Sequence, residues 1–461
     1  MEQLKRLEAL TAAIPAEQVE DVREDIVGEL FKKSRELCSD AVTVTNRELL
    51  YRSERLDRIF TSKLWGFPIM LAMLGVIFYL TIAGANVPSS MLASFFGWIE
   101  GYLTMAFQAL HAPDWLYGVL ILGLFRGTSW VVSVMLPPMA IFFPAFALLE
   151  NYGYLPRVAF NLDRLFKKTG AHGKQSLTMA MGFGCNAAAI MSTRIIESPR
   201  ERMLAILTNN FVPCNGRWPT LILLASLFMA AGFSGGAQTL VTASVVMGMV
   251  LIGVVVTLTV SWGLSKTALK GIPSHYTLEL PPYRKPKILN TILRSTLDKT
   301  LYVLRRAIIV AAPAGVLTWV LANIYIGDAS ILIHFVEFLD PFARAIGLDG
   351  FILMAFIIGL PANEIVLPIL LMGYLATGSL TEVTDMFALK QIFLDQGWTW
   401  LTALNMMLFS LLHYPCGTTL VNIWKETKSV KWTFLSFAIP TAIAIGVTFL
   451  VTQVARALGW V

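Results

Sequence analysis

Apolar and polar residues follow one another in long blocks along this chain. Five predominantly apolar runs are long enough to cross a hydrocarbon core, which takes about 20 apolar residues. The runs cover residues 64–85, 240–264, 307–326, 351–377 and 433–453, and all but the fourth contain no charged residue. The pattern predicts an all-α, polytopic helical membrane protein of eight to ten helices.

The first 60 residues follow a different pattern. They hold 13 acidic and 10 Lys or Arg residues, and apolar residues recur among these charges at helical spacing. No apolar segment follows Met1, so a signal peptide is not predicted. We expect a short helical segment at 1–60 and two membrane halves at 61–270 and 271–461.

Composition and loop charge extend this prediction. Hydrophobic residues make up 56% of the chain and charged residues 14%, against roughly 25% charged in soluble domains. Lys and Arg concentrate in the loops 155–174, 194–202 and 266–299. Cytoplasmic loops carry such an excess, so these loops, the N-terminus and 425–431 are predicted to be cytoplasmic. The segment 85–115 has no Lys or Arg and is expected to form an interfacial helix pair outside.

The short segment 176–193 has basic loops on both sides. Two alternatives remain open for it. It either turns back within the membrane at Gly-Phe-Gly-Cys-Asn, or it spans the membrane and one loop is an exception to the charge rule.

An internal repeat relates the two membrane halves. Leu-Pro interrupts an apolar helix in each half, with a second proline seven residues later: Pro137 and Pro144, then Pro361 and Pro368. A cysteine follows in each half, and a cation follows each cysteine after nine residues. Transporters build midplane sites from duplicated halves with broken helices. We therefore predict two pseudo-repeated halves that contain broken helices.

Three cysteines of the membrane part lie beside helix breakers and polar residues. The stretches are Gly184-Cys185-Asn186, Pro213-Cys214-Asn215 and His413-Tyr414-Pro415-Cys416-Gly417. A buried lone cysteine is ordinarily a small apolar filler. Thiolates near imidazole or amide oxygen also suit iron(II) or zinc(II), and this pattern favours a metal pathway.

Glu364 lies beside Asn363 at the second Leu-Pro break. A carboxylate at membrane depth is costly and is a functional candidate by default. The structural alternative is that Glu364 pairs with Arg126 or Arg217. His172 lies in a basic loop and is expected to be solvated.

Several ordered motifs resemble the membrane part of FeoB, the prokaryotic ferrous iron transporter. They are "RLDRIFTSKLWGFPI", "LLENYGYLPRVAFNLDRLFKKTG", "GFGCNAAAIMSTR", "FVPCNGRWP", "LELPPYRKPK", "GLPANEIVLPIL" and "YPCGTTLVNIWKETKSVKW". The resemblance implies that the two halves are gate motifs and that Cys185, Cys214 and Cys416 contribute to an iron path. It also implies a multi-pass protein of the inner membrane with a cytoplasmic N-terminus.

The sequence departs from this family in one large way. FeoB typically begins with a GTPase domain, whereas no Gly-x4-Gly-Lys-Ser/Thr phosphate loop occurs here. Residues 1–60 resemble only the end of the helical linker to that domain. We expect a separate GTPase chain and a small cytoplasmic accessory protein as partners, with homo-oligomerisation open and no nucleic acid.

These observations lead to one functional hypothesis and two alternatives. Iron(II) is expected as transported substrate, with no permanently bound cofactor and no enzymatic activity of the chain. The expected metal-contacting residues are Cys185, Asn186, Cys214, Glu364 and Cys416. The alternatives are a carrier of nucleosides or other small solutes, and a membrane scaffold that recruits a GTPase without transporting anything.

Overall fold

The structure is a computed structural model that describes residues 16–39, 47–62, 64–270, 283–284, 287–380 and 386–459. The chain divides into two compact units, Met1–Arg58 and Ile59–Val461. The described part of the first unit is helical, with α1 at Ala16–Ser39 and α2 at Arg47–Phe60. The apolar side chains of α1 that are described are exposed.

Helices form nearly all of the second unit. Its α-helices are α3 Gly66–Ala109, α4 Asp114–Tyr117, α5 Arg126–Tyr152, α6 Tyr154–Lys168, α7 Gln175–Gly184, α8 Asn186–Ser192, α9 Pro199–Thr208, α10 Trp218–Leu224, α11 Gly236–Lys266, α12 Ile288–Arg294, α13 Leu301–Asn323, α14 Ile331–Ala345, α15 Gly350–Ile358, α16 Val366–Leu375, α17 Met386–Asp395, α18 Trp400–Leu412, α19 Gly417–Thr427 and α20 Val430–Ala457. The predicted all-α membrane class is confirmed.

Short irregular elements connect some of these helices. The π-helical turns are Gly118–Phe125, Ala225–Met229 and Ser295–Thr300, and the 3-10 turns are Thr193–Ile195, Asn209–Phe211 and Asn363–Ile365. Two short strands, β1 Tyr325–Ile326 and β2 Ala329–Ser330, pair antiparallel, with Tyr325 opposite Ser330.

Five helices in the described residues are long and apolar enough to span a membrane, or up to six if a pair bent by 111° counts as one span. The five are Gly66–Ala109, Asp114–Tyr152, Gly236–Lys266, Ile288–Asn323 and Val430–Ala457, and the bent pair is α14 with α15. This is fewer than the eight to ten helices predicted, because several apolar segments form shorter helices. The span at Asp114–Tyr152 was not among the five apolar runs.

The helix α3 corrects the prediction for 85–115. It continues without interruption from Gly66 to Ala109 through Pro88, so 85–109 is not an interfacial helix pair. A helix of 44 residues is about 66 Å long, which exceeds a hydrocarbon core of about 30 Å. One helix therefore supplies both a span and an extension beyond it.

The two Leu-Pro helices differ from one another. In the second half the break is present: α15 ends at Ile358, and a 3-10 turn at Asn363–Ile365 precedes α16. In the first half α5 continues from Arg126 to Tyr152 with Pro137, Pro138 and Pro144 inside it, so the predicted break there is wrong. Proline removes a backbone donor, but neighbouring helices in a membrane bundle allow a helix to continue past it.

Small residues allow α13 to approach the chain around α5 closely. A Cβ atom added to Gly315 would lie 2.3 Å from the backbone oxygen of Gly123, and one added to Gly118 would lie 1.9 Å from the ring of Trp319. Glycine permits this backbone contact, as is common between membrane helices. The contact holds the first half against the start of the second.

Candidate functional site

Two of the predicted cysteines lie at the N-termini of short helices. Cys185 has extended backbone between α7 and α8, and Cys416 has extended backbone directly before α19. Gly184 makes the first turn possible, since a Cβ atom there would lie 2.1 Å from the ring of Phe142. Both thiols therefore lie where a helix begins, at its partially positive end.

The helices behind these cysteines are joined side by side. Asn422 Nδ2 in α19 donates to the backbone oxygen of Ala187 in α8 at 2.9 Å. At the other end of the pair, Arg194 Nη2 forms an ion pair with Glu426 Oε1 at 2.7 Å. The sequence repeat thus places two equivalent helices in contact and in the same direction.

The third thiol, Cys214, is tied to both of these regions. Asn363 Nδ2 lies 3.7 Å from Cys214 Sγ, and the backbone N–H of Asn215 donates to the oxygen of Gly184 at 3.2 Å. The backbone N–H of Gly417, the residue after Cys416, donates to the oxygen of Leu360 at 2.7 Å. The segments that carry Cys214 and Cys416 therefore both contact the break in the second half.

Glu364 lies in the 3-10 turn at this break. Its carboxylate packs against Gly216, where an added Cβ atom would lie 2.4 Å from Oε1. The alternative partner Arg126 is wrong, because its guanidinium binds Glu100 and donates to Ser379 Oγ.

Arg217 is 1% exposed, and backbone oxygens from both halves surround its guanidinium. It donates to the oxygens of Asn210 (2.8 Å), Leu411 (2.9 Å), His413 (3.2 Å) and Tyr414 (3.1 Å). These bonds fix the segment that leads into Cys416. Much of the buried charge is thereby offset by carbonyl dipoles.

Amide oxygens around the thiols include several without a partner. Asn186 Oδ1 accepts from Asn209 Nδ2 at 3.2 Å. In the described part of the chain, the buried Oδ1 atoms of Asn209, Asn363 and Asn422 have no hydrogen-bond partner. Buried polar atoms are ordinarily satisfied, so these oxygens mark places where a polar ligand would gain a contact.

Asn422 was missed by the sequence reasoning, and Asn363 was noted only as a neighbour of Glu364. The sequence feature that could have revealed both residues is an amide side chain within an apolar helix or at a break in one. Among the described residues, no three His, Cys, Asp or Glu side chains are grouped so that they could hold a metal ion. The arrangement is thus a series of spaced donors and contains no closed cage among these side chains.

His172 corrects a further prediction. It is 8% exposed, so it is not a solvated loop residue. Its Nδ1 accepts a hydrogen bond of 2.9 Å from the backbone N–H of Lys174. Burial lowers the pKa of His172, while the charge of Glu201 partly opposes this shift.

Two family models match parts of this chain. A sequence model described as "Gate: Nucleoside recognition" matches residues 132–228 and 304–430. The first stretch contains Cys185 and Cys214, and the second contains Glu364 and Cys416. A model described as "Ferrous iron transport protein B C terminus" matches residues 246–299.

Curated relatives extend the similarity over most of the chain. The chain is 31% identical over 434 residues to the "Fe(2+) transporter FeoB" of Staphylococcus aureus strain COL, covering 91% of this chain and 61% of that protein. It is 30% identical over 428 residues to the "Fe(2+) transporter FeoB" of Methanocaldococcus jannaschii, covering 90% and 60%.

A third relative is a fusion protein. The chain is 27% identical over 460 residues to the "Fe(2+) transport protein A/Fe(2+) transporter FeoB fusion protein" of Porphyromonas gingivalis, covering 88% of this chain and 52% of that protein. The chain thus spans about three fifths or less of the length of these relatives. No solved structure matches.

Proposed function

We propose that this chain, whose sequence corresponds to the membrane part of FeoB-type transporters, carries iron(II) across the cytoplasmic membrane of a prokaryote. It acts as a transporter and not as an enzyme. One observation carries the proposal: at a helix break inside an apolar unit, Asn363 lies 3.7 Å from the Cys214 thiol of the other half, and the segment of Cys416 bonds to the same break through Gly417. Such broken helices line transport sites in membrane proteins.

The donor set fits a passing metal ion. Iron(II) is bound by thiolate, imidazole and carboxylate or amide oxygen, and Cys185, Asn186, Cys214, Glu364 and Cys416 offer thiol, amide and carboxyl groups. A cation must bind well enough to enter and weakly enough to leave. Spaced donors that contact the ion a few at a time meet both requirements, whereas a closed four-thiolate cage retains its metal.

The buried charge of Arg217 is compatible with this path. A bare guanidinium near the thiols would repel iron(II). Here Arg217 donates to backbone oxygens from both halves, so the thiols and Glu364 are not consumed as its hydrogen-bond partners. Arg217 then positions the segment before Cys416 without contacting the ion.

Orientation and partners complete the proposal. The N-terminus and the basic loops lie in the cytoplasm, because cytoplasmic loops are enriched in Lys and Arg. A GTPase supplied as a separate chain regulates or drives the transport; residues 1–461 themselves contain no phosphate-loop motif. A small accessory protein binds to the transporter on the cytoplasmic side. The name of the Porphyromonas gingivalis relative, a fusion of Fe(2+) transport protein A with FeoB, supports this partner.

Uptake of iron(II), kept reduced, into proteoliposomes that contain this chain tests the proposal. We expect saturable flux that zinc(II) or manganese(II) reduces by competition and a nucleoside mixture leaves unchanged. Uptake is measured for the chain alone and again after a FeoB-type GTPase domain has been added. Flux that appears only after the addition would show that the chain needs this partner to transport iron(II). Nucleoside flux, or the absence of iron flux under both conditions, would contradict the proposal.

A further inference from the structure

A polar cavity of about 520 Å³ opens where α5 ends beside α12. It lies far along the sequence from the thiols and does not include them. Its lining residues are Ala147, Glu150, Asn151, Arg284, Lys287, Asn290, Thr291, Arg294, Ser295 and Asp298. The cavity belongs to no part of the proposed iron path.

Contacts between chain segments hold the walls of the cavity in place. Asn151 Nδ2 donates to Thr291 Oγ1 at 3.0 Å, and the backbone N–H of Arg284 donates to the oxygen of Tyr152 at 3.4 Å. The ring of Tyr283 packs 5.3 Å from that of Tyr152. The cavity is therefore formed before any ligand enters it.

The chemistry of the lining favours a phosphate group. Three basic residues, Arg284, Lys287 and Arg294, outnumber the acidic residues Glu150 and Asp298. Within the described ranges these three cations have no carboxylate within 4.0 Å. The buried hydroxyl of Ser295 has no hydrogen-bond partner among the described residues, so another donor is available for a phosphate oxygen.

An exposed apolar row lies on the helix that forms one wall. Leu289, Leu293 and Leu297 are spaced four residues apart, and they are 72%, 53% and 58% exposed. A helix with one charged face and one row of leucines is typical of the membrane interface, with the leucines in the acyl region. A soluble anion would leave this row uncovered.

The position along α5 agrees with a location at the membrane surface. Its apolar span extends to Ala147 and Leu149 and then changes to Glu150 and Asn151 at the cavity. Basic pockets at such transitions between membrane helices bind lipid head groups. Charge, the leucine row and the location therefore indicate the same kind of ligand.

We propose that this cavity binds the phosphate head group of a membrane phospholipid whose acyl chains lie along the leucine row. Arg284, Lys287 and Arg294 contact the phosphate. Glu150 and Asp298 accept hydrogen bonds from hydroxyl or ammonium groups of the head group. The site is independent of the proposed iron transport.

Native mass spectrometry of the full chain in detergent, titrated with phosphatidylglycerol, tests this site. We expect one retained lipid for the unaltered chain and about 30-fold weaker retention for Arg284→Gln/Arg294→Gln, since each basic side chain near a lipid surface contributes about fivefold in affinity. Lys431→Gln removes an exposed cation outside the cavity and should bind as the unaltered chain does. Equal retention by the double variant and the control would overturn the proposal.

Two further ligands separate the possible sources of binding. Diacylglycerol has the acyl chains without phosphate, and inorganic phosphate has the anion without chains. We expect weak retention of both, and weaker phosphatidylglycerol retention in Leu293→Asn. A phospholipid site would be overturned if diacylglycerol bound as tightly as phosphatidylglycerol. It would also be overturned if inorganic phosphate bound as tightly as phosphatidylglycerol and Leu293→Asn retained phosphatidylglycerol as well as the unaltered chain. If the double variant does not fold, Arg284→Gln alone carries the test, because Arg284 lies outside every helix, and about fivefold weaker retention is expected.

Discussion

Asn422 Nδ2 donates a hydrogen bond of 2.9 Å to the backbone oxygen of Ala187, across 235 residues of sequence. The bond joins the helix that follows Cys416 to the helix that follows Cys185. Asn422 is 1% exposed and Ala187 is equally buried, so water competes little for this bond. The relative position of two thiols thus depends on a contact between the two halves.

Asn422→Ala should weaken this contact. Loss of one hydrogen bond whose acceptor keeps its helical partner costs about 0.5–1.5 kcal/mol of unfolding free energy. Gln391→Ala is the control, because Gln391 is an exposed amide with a helical bond to Asp395; we expect a change within about 0.5 kcal/mol. Denaturant unfolding in micelles measures both values, and equal values for the two variants would contradict the prediction.

Cys185→Ser and Cys416→Ser should each lower iron(II) flux without unfolding the chain. A hydroxyl is a harder and weaker donor for iron(II) than a thiolate, and we expect at least about tenfold slower initial uptake, comparable with other losses at metal sites. Cys38→Ser is the matched control, since Cys38 is exposed on α1. Normal flux in both membrane variants would return these cysteines to the role of apolar fillers.

Gly216→Ala should displace the carboxylate of Glu364. The added Cβ atom would lie 2.4 Å from Oε1, and the group that must move is the end of a flexible side chain. We therefore expect slower iron(II) uptake with little change in thermal stability. Gly232→Ala adds a methyl group in open space and should leave both measurements unchanged. Unaltered uptake in Gly216→Ala would indicate that the position of Glu364 is unimportant for transport.

Arg217→Lys should destabilise the chain although the charge is kept. An ammonium has three donors and lacks the planar fork of the guanidinium, so several of the backbone oxygens around Arg217 would lose their bonds. We expect a loss of roughly 3 kcal/mol, since bonds from charged donors contribute about 1.5–3 kcal/mol each. Arg344→Lys, at a residue whose side chain is 74% exposed, should change stability by less than about 0.5 kcal/mol. Similar unfolding midpoints for the two variants would refute this role of Arg217.

His172 should make stability depend on pH. Its folded-state pKa is lowered below 6.5 by burial, so the unfolded chain binds the proton more readily. Stability is then complete above the unfolded pKa near 6.5 and falls as the pH decreases below it. His172→Asn keeps an acceptor for the N–H of Lys174 and should reduce the difference in melting temperature between pH 7.5 and 5.5. An unchanged difference would assign this dependence to other groups.

Part of the candidate site could be predicted from sequence because it depends on local chemistry. Cys185 and Cys416 follow Gly184 and Pro415, and these neighbours end or delay a helix wherever the chain lies. The helix break near Pro361 agrees with the predicted interruption by Leu-Pro. The continuity of α5 through Pro137 could not be predicted, because packing of the surrounding helices decides whether a proline ends a membrane helix.

Sequence alone determined the all-α membrane class of this molecule and supplied the candidate site residues, since apolar run length and residue type act locally. Tertiary structure decided which distant groups meet: Asn422 with Ala187, Arg217 with the segment before Cys416, and Arg126 with Glu100 in place of Glu364. These contacts join positions far apart in the chain. The packing of whole helices decides which residues come into contact, and a local sequence pattern does not contain that information.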